Sequence, residues 1–203
     1  KTGVTAAVVE NPDGSRFEIA TKNVLLATNG YGANQALLDK YNAEIAQVYY
    51  HGSIYSNGEA LEIGERLGAA TGYLDAYQGH AAIASHANTL VGWATVMQGG
   101  FILNLAGDRF GDESAGYSEY AAILNNQPES SGWLIIDKEI HDGSMSFKEF
   151  EVTADSGAII WADELTQLAE LIELPAAKLV DAAAAAAAVH SGKAVDEFGR
   201  AGF

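Results

Sequence analysis

The chain has 203 residues, 48% of them hydrophobic, and a formal net charge of −16. That content is enough for a packed globule and excludes a disordered tail, while the charge disfavours nucleic acid and anionic lipid as partners. With no cysteine, disulfides, thiol catalysis and thiolate metal sites are excluded.

In chain order, Val4 to Ala20 reads as a β-hairpin turning at Pro12-Asp13-Gly14, where proline fixes φ and glycine takes the left-handed position. Asn23 to Thr28, "NVLLAT", is an apolar run of strand length, expected as a buried strand. "NGYG" breaks it, and Asn34 caps a short helix. A second helix follows "SNG", with Asn57 as the expected N-cap and Gly68 as the C′ stop. Ala60, Ile63, Gly64 and Leu67 share one face, and Gly64 there suggests close backbone approach. "GGFILN" is a strand entering a turn at Ala106-Gly107-Asp108, and "GWLIIDKEI" is a strand ending at Asp137. Ala162 to Ile172 is helical, and Pro175 opens a last helix through seven alanines to Gly192. A boundary is expected near residues 42–53. The apolar stretches are too short to span a bilayer. The start at Lys1, without an initiator Met, reads as a piece of a longer polypeptide.

Five motifs then occur in order: Leu26-Ala27-Thr28-Asn29-Gly30-Tyr31-Gly32; Asn57-Gly58-Glu59-Ala60; Gln78-Gly79-His80; Gly107-Asp108-Arg109-Phe110-Gly111-Asp112-Glu113; and Ser191-Gly192-Lys193 with Phe198-Gly199-Arg200. Together they resemble the FAD-dependent oxidoreductases related to the fumarate reductase and succinate dehydrogenase flavoproteins. That group includes 3-ketosteroid dehydrogenases, urocanate reductases and tricarballylate dehydrogenase. The resemblance implies an α+β fold. Residues 1–50 would be the C-terminal part of the first FAD-binding segment (hairpin, strand, short helix), and residues 51–203 an α+β capping domain. It implies FAD as cofactor, approached by Thr28, Asn29, Gly30, Asn57, Gly58 and Glu59. The Gly-rich dinucleotide fingerprint is not in this sequence, so the isolated chain is expected to be inactive and to hold FAD weakly. Its partners would be a small-molecule substrate and the remaining FAD-domain segments of the same chain, with no transmembrane segment and a cytoplasmic setting.

In such enzymes flavin carries hydride at N5 while cap-domain side chains move the proton. Three residues are candidates by resemblance. His80 matches the histidine of the "Q-x-H-P-T" motif, though Ala81 and Ala82 replace its Pro and Thr; otherwise it is a core histidine. Tyr117 falls where dicarboxylate enzymes keep a proton-donating arginine, and it resembles the base tyrosine of the ketosteroid enzymes; otherwise it packs beneath the cap. Arg109 is read first as structural, pairing with Asp112 or Glu113, and second as catalytic. Tyr120 is read as packing. The proton relay of the fumarate reductases falls on Gly92, Trp93 and Val96, which cannot relay. Arginines occur only at 16, 66, 109 and 200. A dicarboxylate needs cationic clamps, so a neutral carbonyl substrate suits this chain better. No metal site is expected, because the histidines lack ligand spacing. The competing reading is a non-catalytic α+β capping or protein-contact module.

Overall fold

The computed structural model describes residues 3–202. The chain packs as two units, the first running to Ala76 and the second starting at Tyr77. This division lies later than the boundary expected near residues 42–53.

The first unit opens with the expected hairpin. β1 (Ala6–Glu10) and β2 (Arg16–Ala20) pair antiparallel, from Ala6 opposite Ala20 to Glu10 opposite Arg16. Asp13 closes the turn by accepting from the Ser15 amide at 2.9 Å. The run Asn23 to Thr28 departs from expectation. It joins no strand ladder among the described residues, and Leu25 is 89% exposed. An apolar segment becomes a strand only where another backbone satisfies its N–H and C=O groups; apolarity alone does not supply that ladder.

α1 (Gln35–Tyr41) starts as expected, with the Asn34 carboxamide oxygen accepting from the Leu37 amide at 3.2 Å. Asn34 also donates from Nδ2 to the Asn57 carbonyl at 2.9 Å. Asn34→Ala is therefore expected to cost about 1 kcal/mol, read as a lower denaturant midpoint at unchanged slope. α2 (Glu59–Arg66) is preceded by Gly58 at φ 90°, so glycine and not Asn57 occupies the cap position. It ends in the hydrogen bonds of a Schellman motif, Ala69 N to Gly64 O and Gly68 N to Glu65 O, both 2.9 Å. A Cβ at Gly64 would meet only Ala69 Cβ, at an ordinary 3.6 Å. Close backbone approach is thus not what this glycine serves.

The second unit is built around a two-stranded ribbon. β3 (Ile83–Ala84) and β4 (Thr89–Leu90) form a small hairpin, followed by one turn of helix, α3 (Ala94–Met97). β5 (Phe101–Asn104) leads through the expected turn into a 3₁₀ turn at Glu113–Ala115 and then α4 (Tyr117–Asn125). β6 (Gly132–Ile135) returns antiparallel to β5, Phe101 opposite Ile135. Asp137 ends this strand region by capping α5 (Lys138–Ser144). α6 (Lys148–Asp155), α7 (Leu165–Leu171) and α8 (Ala176–His190) complete the unit.

Side-chain alternation along β5 serves two cores at once. Phe101 and Leu103 face Ala169, Ile172, Leu174, Leu179 and Ala186 of the α7–α8 region. Ile102, between them, faces Val96, Ala81 and Tyr120. Within the alanine run, Ala182, Ala183 and Ala186 lie on the core side of α8, which lets the helix approach closely. Helices and small antiparallel sheets thus occur in one chain, an α+β architecture. Among the described residues no helix is long and apolar enough to cross a membrane.

Candidate active site

Tyr117 is the first residue of α4, and Gly116 before it sits at φ 109°, ψ 156°. This backbone conformation is essentially open only to glycine. It delivers the chain into the helix so that Tyr117 lies beside segment 78–81. Two backbone contacts fasten that segment to the helix start. The Ala81 amide donates to the Tyr117 carbonyl at 3.1 Å, and the Gly79 amide donates to Ser118 Oγ at 3.2 Å.

The side chains converge accordingly. Gln78 Nε2 donates to the Tyr117 hydroxyl oxygen at 2.6 Å, across 39 residues of sequence. The His80 ring lies 5.1 Å from the Tyr117 ring, tilted by 30°. Gly79 between them is a steric requirement. A Cβ there would stand 2.7 Å from Ala121 Cβ and 3.2 Å from the Ser118 carbonyl, so any side chain would push the segment off α4. Gly79→Ala is expected to separate Gln78 and His80 from Tyr117. Loss of nuclear Overhauser contacts between the His80 and Tyr117 rings would show it; their retention would refute it. Ala81 and Ala82 pack into the core beneath.

His80 also lines an open cavity of about 280 Å³ with Leu90, Gly92, Trp93, Ala94, Phe147 and Glu149. Behind it, Tyr120 is fully buried, 5.8 Å from the Trp93 ring and 5.3 Å from Phe110. Burial first, and the Glu113 carboxylate second, raise its phenol well above the ordinary value. Tyr120 stays neutral, as a packing tyrosine should.

Arg109 is buried in an ion network. It grips Glu113 in a bidentate pair, Nε to Oε1 at 3.1 Å and Nη2 to Oε2 at 2.7 Å, and meets Asp196 Oδ2 through Nη1 at 2.5 Å. Burial pulls its guanidinium down, but the bonds to Glu113 and Asp196 more than restore it, so the net shift is upward. Arg200 completes the network at 3.3 Å from Glu113, and donates to the carbonyls of Gly100 at 2.9 Å and Val96 at 2.6 Å. Glu113 Oε1 further accepts from the Ile102 amide at 3.1 Å. Of the two partners considered for Arg109, Glu113 is the one it takes; Asp112 instead caps the 3₁₀ turn through the Ser114 amide. The side chains of Arg109 and Arg200 are only 5% and 2% exposed. Asp196 was not anticipated. Its signal was its place four residues before Arg200, where Oδ1 accepts the Phe198 and Arg200 amides at 3.1 and 3.0 Å.

In the first unit the remaining candidate residues lie on two neighbouring turns. The Ala33 amide donates to the Ser56 carbonyl at 2.9 Å, and the Asn34 side chain to Asn57, as above. Thr28, Asn29, Gly30, Asn57 and Glu59 are exposed, and Gly58 is buried. Asn29 adopts φ 68°, with its own carboxamide accepting the Gly30 amide at 2.9 Å. No group of three metal-ligating side chains occurs among the described residues.

This chain is similar to several known proteins. It is 25% identical over 138 residues to a probable fumarate reductase of Shewanella frigidimarina, covering 68% of this chain and 24% of that protein. It is 29% identical over 180 residues to a 3-oxosteroid 1-dehydrogenase of Mycolicibacterium smegmatis, covering 77% of this chain and 31% of that one. The open conformation of a flavocytochrome c3 fumarate reductase superposes with a TM-score of 0.72 at 22% identity, covering 99% of this chain and 35% of that one. The chain thus spans about a quarter to a third of the length of these proteins. The family model described as FAD binding domain matches residues 1–198. With nearly the whole chain matched and its fold shared, the chain belongs to the FAD binding domain family, the FAD-dependent oxidoreductases of the fumarate reductase and succinate dehydrogenase type.

Proposed function

We propose that the chain carries the proton-transfer groups of a flavin-dependent oxidoreductase whose substrate is a small neutral carbonyl compound. The convergence of Gln78, His80 and Tyr117 supports this most directly. With Gln78 donating to its oxygen, the Tyr117 hydroxyl directs its own proton away from Gln78, to give or take a proton at a carbon next to a carbonyl. His80, stacked on the same ring, orients the substrate or relays the proton. Arg109 holds the loop from Asp108 to Glu113 in place and acts through its buried pairs, not on substrate. The absence of a cation from this group, with Arg109 and Arg200 both engaged in the core, counts against a dicarboxylate.

A bound FAD supplies the hydride-transfer chemistry. The two turns of the first unit fit part of it. Thr28, Asn29, Gly30, Asn57, Gly58 and Glu59 offer amides, carbonyls and the Glu59 carboxylate, suited to hydroxyl groups. Glu59 and Glu62 in the first turn of α2 repel phosphate, so the pyrophosphate falls to other parts of the full-length protein. On this reading residues 1–50 end the first FAD-binding segment and residues 51–203 form the cap. The isolated chain then binds FAD weakly and is inactive; titration of free FAD giving sub-micromolar affinity would refute that.

The deciding experiment uses full-length protein with FAD, following flavin reduction or reoxidation against fumarate, urocanate, tricarballylate and a 3-ketosteroid. The ketosteroid is expected to turn over fastest. A fumarate or tricarballylate preference would overturn the neutral-substrate reading, and a flavin-free protein would overturn the oxidoreductase reading.

A further inference from the structure

An asparagine side chain is open to attack by the amide nitrogen that follows it, above all when glycine follows, because glycine has no Cβ to shield that nitrogen. The chain contains this dipeptide twice, at Asn29-Gly30 and Asn57-Gly58. The fold leaves the first open and locks the second.

Asn29 and Gly30 are both exposed, and neither belongs to a helix or strand. Asn29 adopts φ 68°. A Cβ at Gly30 would meet nothing within 4 Å, so the nitrogen is unobstructed. The Gly30 amide already points at Asn29 Oδ1, at 2.9 Å. That oxygen is bonded to Cγ, the carbon an attack would reach. Nucleophile and electrophile are thus held side by side in open solvent, and closing a ring between them breaks no helix or ladder.

At Asn57-Gly58 every group needed for that closure is engaged. Gly58 is buried, and the place of its missing Cβ is filled by Leu37 Cδ1 at 2.5 Å and Tyr31 Cβ at 3.0 Å. The Asn57 amide donates to the Tyr55 carbonyl at 2.9 Å, and its carbonyl accepts from Asn34 Nδ2 at 2.9 Å. Its side-chain Nδ2 donates to the Ile54 carbonyl at 3.3 Å. The Gly58 carbonyl accepts the Glu62 amide at 3.1 Å, at the start of α2.

We infer that Asn29 is a site of spontaneous deamidation, which turns a neutral residue of this turn into a carboxylate as the protein ages. The Gly30 nitrogen gives its proton to solvent and bonds to Asn29 Cγ. The Cγ–Nδ2 bond breaks, and Nδ2 takes up a proton and leaves as ammonia. Water then adds to one carbonyl of the resulting cyclic imide and opens it. Opening at Cγ leaves aspartate, and opening at the backbone carbonyl leaves isoaspartate. No electrons are exchanged, and water is the only co-reactant. The new carboxylate is ionised at neutral pH and adds negative charge to the turn. One further consequence rests on the proposed reading that this turn approaches FAD: bound cofactor covers Asn29 and slows the step.

Full-length protein, flavin-free and FAD-loaded, is incubated at neutral and mildly alkaline pH. Its peptides are mapped by mass spectrometry, and isoaspartate is counted by enzymatic methylation. In the folded flavin-free protein Asn29 should convert at least about tenfold faster than Asn57, and faster still at alkaline pH, since the attacking nitrogen loses its proton. In denaturant the two sites should convert at similar rates. Gly30→Ala should slow conversion at Asn29 about tenfold or more, and its added methyl meets no neighbour that could unsettle the fold. No conversion at Asn29, equal conversion at Asn57 in the folded protein, or an unchanged rate in Gly30→Ala would each overturn the inference. If Asn29 converts equally fast with FAD bound, the deamidation site stands and the placement of this turn beside the cofactor fails.

Discussion

In the full-length protein, Tyr117→Phe is expected to lower turnover on the best substrate by roughly 10²–10⁴-fold, the usual contribution of one positioned acid or base. KM should change little, because the ring and its contact with His80 remain; a fall in kcat alone is the mark of an interaction made in the transition state. Tyr120→Phe is the matched control. Its hydroxyl is buried with no hydrogen-bond partner among the described residues, so removing it should leave turnover intact and stability equal or slightly higher. Gln78→Ala should give a smaller loss of kcat, since it removes the donor that directs the Tyr117 hydroxyl but not the hydroxyl itself. Wild-type turnover in Tyr117→Phe would end the case for this tyrosine as the proton-transfer group.

Glu113→Gln is expected to be the most destabilising single change, by about 3–5 kcal/mol, because it leaves buried guanidinium groups without their shared carboxylate. For a domain of this size that corresponds to a fall of roughly 6–20 °C in the unfolding midpoint, measurable by calorimetry or circular dichroism. Glu113 is fully buried and joins Arg109, Arg200 and the Ile102 amide, so its loss is felt at three chain positions. A shift of a degree or less would mean that these charges are solvated in solution. Acid should act on the same network through Asp196. Burial alone would raise that carboxyl, but hydrogen bonds from Arg109 and the Arg200 amide outweigh it and hold the carboxyl below its ordinary value. A depressed folded-state pKa stabilises the native state above the unfolded value of about 3.9 and loses that contribution as pH falls toward the folded value. Asp196→Asn should therefore flatten the decline in stability below about pH 4.

Local chemistry was the part of the fold most readable from sequence. The hairpin turn, the Asn34 cap and the Gly68 and Gly192 stops each depend on a few adjacent residues, whose conformational preferences act wherever they sit, whereas Pro175 caps α8 and is not its first helical residue. The run Asn23 to Thr28 was misread because strand formation depends on a partner that a run's own composition does not specify. Cap and glycine roles at Asn57, Gly58 and Gly64 were misplaced by a residue or by purpose, since position on a helix end turns on a single φ angle. At the candidate site, the motifs contain Gln78, His80 and Arg109, and counting on from Arg109 reaches Tyr117 as a candidate. Neither motif nor count could say that Gln78 reaches the Tyr117 oxygen, or that Arg109 takes Glu113 and Asp196 together. Those pairings cross 39 and 87 residues of chain, and long-range contacts leave no periodic trace in a single sequence.

Gly79 has a consequence for how this site can change over time. Because any added carbon there collides with α4, variation that retunes the Gln78–His80–Tyr117 group must pass around that position. A library randomising residues 78 to 82 in the full-length protein, selected for retained fold and flavin-dependent turnover, should diversify at Gln78 and Ala82 and return glycine at 79 in nearly every survivor. The spacing between segment 78–82 and α4 is thus held as a fixed gauge, and change falls to the residues on either side of it.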